Sequence, residues 1–159
     1  MAAISRRAMV LCAHPGRLMD YGALLNCLEF YHLSLCQDLD EVRKVLASQQ
    51  RYSLFIHDDF VPGPDELVSL KTLGQSNAFR QFVLVGSYSA EEKTGLFQWA
   101  WRHRVPLLRV LDKPVSLAQL REITDSLVLY HGEDEQPIRA SVSELQDYQV
   151  PETPRRGRA

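Results

Sequence analysis

The sequence predicts a doubly wound α/β domain built on a five-stranded parallel sheet. Short apolar runs bounded by turn residues alternate five times with stretches of helical period between residues 8 and 130. One run, Tyr52-Ser53-Leu54-Phe55-Ile56, is closed by His57-Asp58-Asp59 and then by Pro62-Gly63-Pro64. Its length and its β-branched and aromatic content are those of a buried strand that stops abruptly at its carboxyl end. The connections are each long enough for a helix, and parallel pairing requires such a right-handed, helix-containing crossover.

Taken in order, Ala8-Met9-Val10-Leu11-Cys12-Ala13 reads as the first strand, stopped by His14-Pro15-Gly16. Leu18, Tyr21, Leu24, Leu25 and Leu28 give residues 18–30 a helical period. Residues 31–36 alternate as a second strand. Asp38 then stands as an N-cap with Glu41 three residues on, the capping-box spacing, ahead of the inward stripe Leu39, Val42, Val45 and Leu46. After the Asp58 strand, Leu67, Leu70 and Leu73 mark a third helix over 65–73. Phe82-Val83-Leu84-Val85-Gly86-Ser87 is a fourth strand ending in small residues. Ser89-Ala90-Glu91-Glu92 opens a helix that runs to about Arg104. Residues 106–111 form the last strand, and Ser116 caps a final helix with the stripe Leu117, Leu120, Ile123, Leu127 and Val128.

At 159 residues the chain suits one domain with a substantial core, with 45% apolar and 24% charged residues. A formal charge of −2 gives no broad electrostatic case for nucleic acid. Cys12, Cys27 and Cys36 lie in apolar surroundings without CxxC spacing and read as small core residues of a reduced, cytoplasmic protein. No apolar run approaches ~18 residues, so no membrane span is expected. The apolar run behind Arg6 and Arg7 breaks too early for a signal peptide. Residues 1–131 are expected to form the domain. Residues 132–159, acidic at first and rich in proline and arginine at the end, read as a polar, mobile tail or truncated linker with a short helix over 143–148.

Over about 120 residues the chain resembles a response-regulator receiver domain of two-component signalling. Asp58 ends the third strand, with Pro62 four residues on and Asp65 beyond it. Gly86-Ser87 ends the fourth strand. Lys113-Pro114 follows the fifth. The resemblance implies the flavodoxin-like strand order 2-1-3-4-5. It also implies Asp58 as the phosphoacceptor for a histidine kinase or small phosphodonor, Lys113 as the partner of a phosphoryl oxygen and a hydroxyl, here Ser87, after the fourth strand. Mg²⁺ held by an acidic pair after the first strand would neutralise the crowded charge.

The chain departs from this pattern at the positions that matter for metal and for switching. Ala13 and His14 stand where the acidic pair is expected, so the Mg²⁺ seat is missing, with Asp58 and Asp59 the remaining candidate ligands. The hydroxyl position aligns best with Gly86, one residue before Ser87, and the switch aromatic falls near Val110. An atypical or pseudo-receiver follows: a protein-interaction module rather than an enzyme, without Mg²⁺-dependent phosphorylation and without a cofactor. The alternative is a competent phosphoacceptor at Asp58 with autophosphorylating and autophosphatase chemistry. The structural expectation is an Asp58–Lys113 ion pair, with Asp59 an outward loop residue.

The second unusual stretch is Phe97-Gln98-Trp99-Ala100-Trp101-Arg102-His103-Arg104. Helical spacing puts Phe97 and Trp101 on one face and Trp99 on another, so two belong to the core and one is partly exposed. Trp and Arg dominate interface hot spots, which makes Phe97, Trp99, Trp101 and Arg104 candidate interface residues. Receivers commonly dimerise through the fourth helix, fifth strand and fifth helix. A protein partner or homodimer through the fourth and fifth helices is therefore expected, with a histidine kinase a further partner, no membrane contact and no nucleic acid. The Ala-His-Pro turn at residues 13–15 lacks the Asp-Asp that zinc-dependent deacetylases carry after it, so a zinc site is rejected.

Overall fold

The computed structural model describes residues 6–132. Strands β1 (Arg7–Leu11), β2 (His32–Cys36), β3 (Tyr52–Asp58), β4 (Phe79–Gly86) and β5 (Leu107–Asp112) alternate with helices α1 (Pro15–Cys27), α2 (Leu39–Leu46), α3 (Pro64–Gln75), α4 (Ala90–His103) and α5 (Leu117–Gly132). The sheet is parallel throughout, in the order β2-β1-β3-β4-β5. The expected strand order is the observed one.

Alternation along the central strands builds two cores from one sheet. Met9, Phe55, Phe82 and Leu84 face α2, α3 and α4, where Val42, Leu70, Leu96 and Phe97 meet them. Ala8, Val10, Ile56, Val83 and Val85 face α1 and α5, meeting Leu18, Tyr21, Leu25, Leu120 and Ile123. The first core is aromatic, with Phe55, Phe79 and Phe82 rings 4.8–5.4 Å apart. The second is aliphatic apart from Cys12, Tyr21 and Phe30.

The helix starts follow the sequence signals. Asp38 accepts from the Glu41 amide at 2.9 Å, but the Glu41 carboxylate reaches back to the Gln37 amide rather than to that of Asp38. A full capping box forms at Ser89 and Glu92. Ser116 caps α5 against Gln119. The strand boundaries differ most at β4, which begins three residues earlier than the apolar run, because Phe79 and Gln81 pair with Tyr52 and Leu54 of β3. Among the cysteines, Cys12 and Cys36 are buried whereas Cys27, at the end of α1, is exposed, correcting the expectation that all three are core. Its neighbours Leu25 and Leu28 take the inward positions of that turn. Val110 is a core residue on the α4 side. The expected tail helix over 143–148 lies outside the described residues, and so does the tail from 133 on.

Candidate functional site

Parallel strands bring their carboxyl ends to one edge, and there the turns after β1, β3, β4 and β5 converge. Asp58 is the last residue of β3 and is 4% exposed. A carboxylate this buried needs partners for both oxygens. The Tyr21 hydroxyl donates to Oδ1 at 2.7 Å. Arg17 donates to Oδ2 from Nε at 3.0 Å, and one of its terminal amino groups lies at 3.0 Å from the same oxygen. The Cys12 thiol is 3.4 Å from Oδ2.

α1 supplies most of this shell because of how it starts. His14 is its N-cap, and its ring accepts from the Arg17 amide at 3.2 Å. Pro15 at the first helical position needs no donor there. This turn aims Arg17 across the strand ends and leaves Tyr21, one turn further, beneath it. The position where a receiver would place a metal-binding carboxylate is thus used as a helix cap. Burial, then the hydrogen bond to Asp58, raises the Tyr21 phenol well above its usual value. Burial raises the Cys12 thiol. The hydrogen bond to Asp58 raises the Arg17 guanidinium further. Proton donors therefore stay protonated around Asp58 at neutral pH.

Asp59 sits beside it in a different environment. Its backbone takes φ 58°, a left-handed conformation that a non-glycine residue seldom adopts. Its side chain, 50% exposed, accepts from Arg17 at 3.1 Å and from Lys113. The Lys113 hydrogen bond is the main cause that holds the Asp59 carboxyl below its ordinary value. The expected Asp58–Lys113 pair is therefore not the one formed: Arg17 takes Asp58, and Lys113 pairs with Asp59. The Lys113–Pro114 peptide is cis.

On the α4 side Tyr88 turns inward and its hydroxyl donates to the Phe60 carbonyl. Burial raises its phenol well above the usual value. Gly86 makes room for this ring, since a Cβ there would lie 2.5 Å from the Tyr88 hydroxyl. Ser87 is exposed and, among the described residues, makes no side-chain hydrogen bond. It lines a cavity of about 420 Å³ together with Arg17, Tyr21, Asp58, Lys113 and Pro114. Burial lowers the His57 imidazole, which stays neutral beside Phe55 and Phe60.

The sequence reading found Asp58, Lys113 and Ser87, and the fold gathers them at one cavity. It missed Arg17, Tyr21, Cys12 and Tyr88. The signal for Arg17 was its place two residues after the Pro15 that starts α1, a cation in the helical turn that follows the missing acidic pair at Ala13 and His14. Nothing distinguished Tyr21 from a core residue of the helix stripe.

A divalent ion does not suit this donor set. The groups nearest Asp58 are a guanidinium, a phenol and a thiol with raised proton affinity, and the guanidinium already brings positive charge to the carboxylate. Asp59, the other candidate ligand, is engaged by two cations. Among the described residues no group of three or more His, Cys, Asp or Glu stands close enough to hold a metal.

The candidate interface residues separate. Phe97 is buried in the core. Trp99 is half-buried and packs on His103 with centroids 5.0 Å apart. Trp101 is 41% exposed, and Arg104 is exposed in a left-handed C-cap. Phe97 and Trp101 do not share an environment, because Trp101 lies in the last turn of α4, beyond the end of the helix's buried stripe at Phe97 and Ala100.

No protein-family model matches the chain, and no curated protein matches it. Solved structures do. A response-regulator receiver domain protein from Methanospirillum hungatei superposes with a TM-score of 0.61 at 16% identity, over 80% of this chain and 97% of that one. Chemotaxis protein CheY4 of Vibrio cholerae gives 0.60 at 15% identity, over 79% and 99%. The signal receiver domain of a modulated diguanylate cyclase from Desulfovibrio desulfuricans gives 0.60 at 16% identity, over 80% and 97%. These likenesses establish the receiver-domain fold. Among the described residues no helix is long and apolar enough to cross a membrane.

Proposed function

We propose that this chain is a receiver-like signalling domain that works through protein–protein contact, with Asp58 held by its own side chains rather than switched by Mg²⁺-dependent phosphorylation. The observation that carries this reading is the guanidinium of Arg17 on Oδ2 of Asp58. It supplies internally the positive charge that a receiver draws from its metal, while Tyr21 occupies the other oxygen. A carboxylate with both oxygens engaged is a poor nucleophile until a partner leaves. In this reading Trp101 and the exposed end of α4 take a protein partner, or a second copy through α4 and α5.

The second reading, a competent phosphoacceptor, draws on Asp58, Ser87 and Lys113 sharing one cavity. Intact mass after treatment with acetyl phosphate and Mg²⁺ separates the two, with Asp58→Asn and Arg17→Ala run beside the wild type. No gain in the wild type, with the fold intact by circular dichroism, supports the first reading. A gain of one phosphoryl group in the wild type and none in Asp58→Asn selects the second. Trp101→Ala is expected to weaken the partner contact and leave the mass result unchanged.

A further inference from the structure

The two edges of the sheet carry opposite charge. At the amino edge, where helices hand over to strands, Arg6, Arg7, Arg51, Arg80, Arg102 and Arg104 gather at or beside the starts of β1, β3, β4 and β5. Among the described residues Glu29 is the one carboxylate in the helix-to-strand turns there, and none of these arginines is ion-paired. Arg6 donates to the Leu28 carbonyl and Arg7 to the Gln50 amide oxygen. The carboxyl edge is the reverse. Acidic residues open α2 (Asp40, Glu41), α3 (Asp65, Glu66) and α4 (Glu91, Glu92). The cations near them, Arg17, Lys93 and Lys113, are already paired.

Part of this polarity has a local explanation. Helices return opposite to the strands, so their positive ends meet the acidic edge and their negative ends the basic one. That covers Arg102 in the last turn of α4 and Arg6 on the end of α1. It does not cover Arg51 and Arg80, which belong to strand starts and are exposed. With neighbouring strands ~4.8 Å apart, the strand-start charges form a row about 15 Å long. Two large exposed aromatics flank it, Tyr31 at 71% and Trp101 at 41% exposure.

We infer that this arginine edge is a docking surface for the acidic carboxyl edge of a second copy of the chain. The partner's chemistry is on the molecule itself: among the described residues, a basic row without ion pairs at one end and an excess of carboxylates at the other. The contact is head-to-tail, so the assembly always keeps one free basic edge and one free acidic edge at its two ends, and it grows with concentration instead of stopping at a closed dimer. It would also cover the Asp58 cavity of the receiving copy. The inference rests on the domain being an interaction module, not on the state of Asp58, so the phosphoryl mass experiment is independent of it.

The test is sedimentation velocity of the full chain at about 0.01 M and about 0.15 M salt, where the screening length falls from ~30 Å to ~8 Å. The wild type is expected to show a roughly twofold or larger weight-average mass at low salt, rising with concentration, and to return to monomer at the higher salt. Arg51→Glu with Arg80→Glu, and separately Asp65→Lys with Glu91→Lys, should each abolish the rise, and an equimolar mixture of the two variants should restore it. Circular dichroism melts confirm that each variant folds. A wild type that stays monomeric at low salt overturns the proposal, and one that does so while retarding a single-stranded oligonucleotide moves the arginine row to a polyanion partner. Association that survives both charge reversals but is lost in Trp101→Ala also overturns it, in favour of an α4-centred contact.

Discussion

Asp58 and Asp59 are adjacent in sequence, yet the α1 side and the β5 side of the cluster treat them differently. On the α1 side Asp58 is enclosed, and Tyr21 and Arg17 meet it in fixed directions. On the β5 side Asp59 is half exposed and meets Lys113, a flexible cation that is itself about a third exposed. Charge-assisted hydrogen bonds in an enclosed site are strong, whereas exposed ion pairs contribute ~0–1 kcal/mol. The stability of the cluster should therefore reside on the α1 side, and the β5 side should serve to tie loops together.

The largest effect should come from removing the cation on the enclosed side. Arg17→Met leaves Asp58 with a phenol and a thiol, and is expected to cost about 2–3 kcal/mol, less than the ~3–5 of a fully buried pair because Arg17 itself reaches solvent. Urea unfolding measures it, and a loss below about 0.5 kcal/mol would erase the difference between the two sides. Next comes Tyr21→Phe, which removes one hydrogen bond to a charged group and should cost about 1.5–2 kcal/mol in the same assay. Lys113→Ala is expected to fall within about 0.5 kcal/mol of the wild type.

The last of these has a finer readout in acid. Asp59 has a lowered carboxyl, so its contribution is complete above the unfolded value of ~3.9 and is lost as pH falls through the lowered folded one. Carboxyl chemical shifts followed by NMR should place the Asp59 titration below the ordinary range in the wild type. In Lys113→Ala it should move upward, because the main lowering cause is gone. An Asp59 titration unchanged by that substitution would assign the shift to Arg17 instead.

The fold was legible because a parallel sheet needs continuous apolar strands and amphipathic crossovers, and residues 8–130 supply both in strict alternation. Asp58 was legible for a related reason: a strand's end is visible in sequence, and strand ends meet at one edge, whereas Lys113 stood out only through the resemblance to receiver domains. Partner choice was not. Whether Lys113 finds Asp58 or Asp59 depends on the left-handed turn at Asp59, which swings its carboxylate toward β5. Arg17 reaches Asp58 only because His14 and Pro15 fix the first turn of α1. Tyr21 has the spacing of any core residue, and only its hydroxyl, placed in three dimensions, separates it from Leu18 and Leu25. Which of Phe97, Trp99 and Trp101 is the exposed one was not legible, because helical periodicity carries no information on where the neighbouring core ends.

The close approach of Tyr88 to Gly86 means that a side chain at 86 and an inward ring at 88 compete for one space. A serine or threonine at 86 would thrust its first side-chain carbon into the inward phenol. A hydroxyl there is compatible with a displaced Tyr88 but not with one anchored on Phe60. Either substitution alone is costly: Gly86→Ser collides with the ring, and loss of the ring frees the Phe60 carbonyl. The two positions are therefore coupled, and changing both together is expected to cost less than the sum of the two single changes.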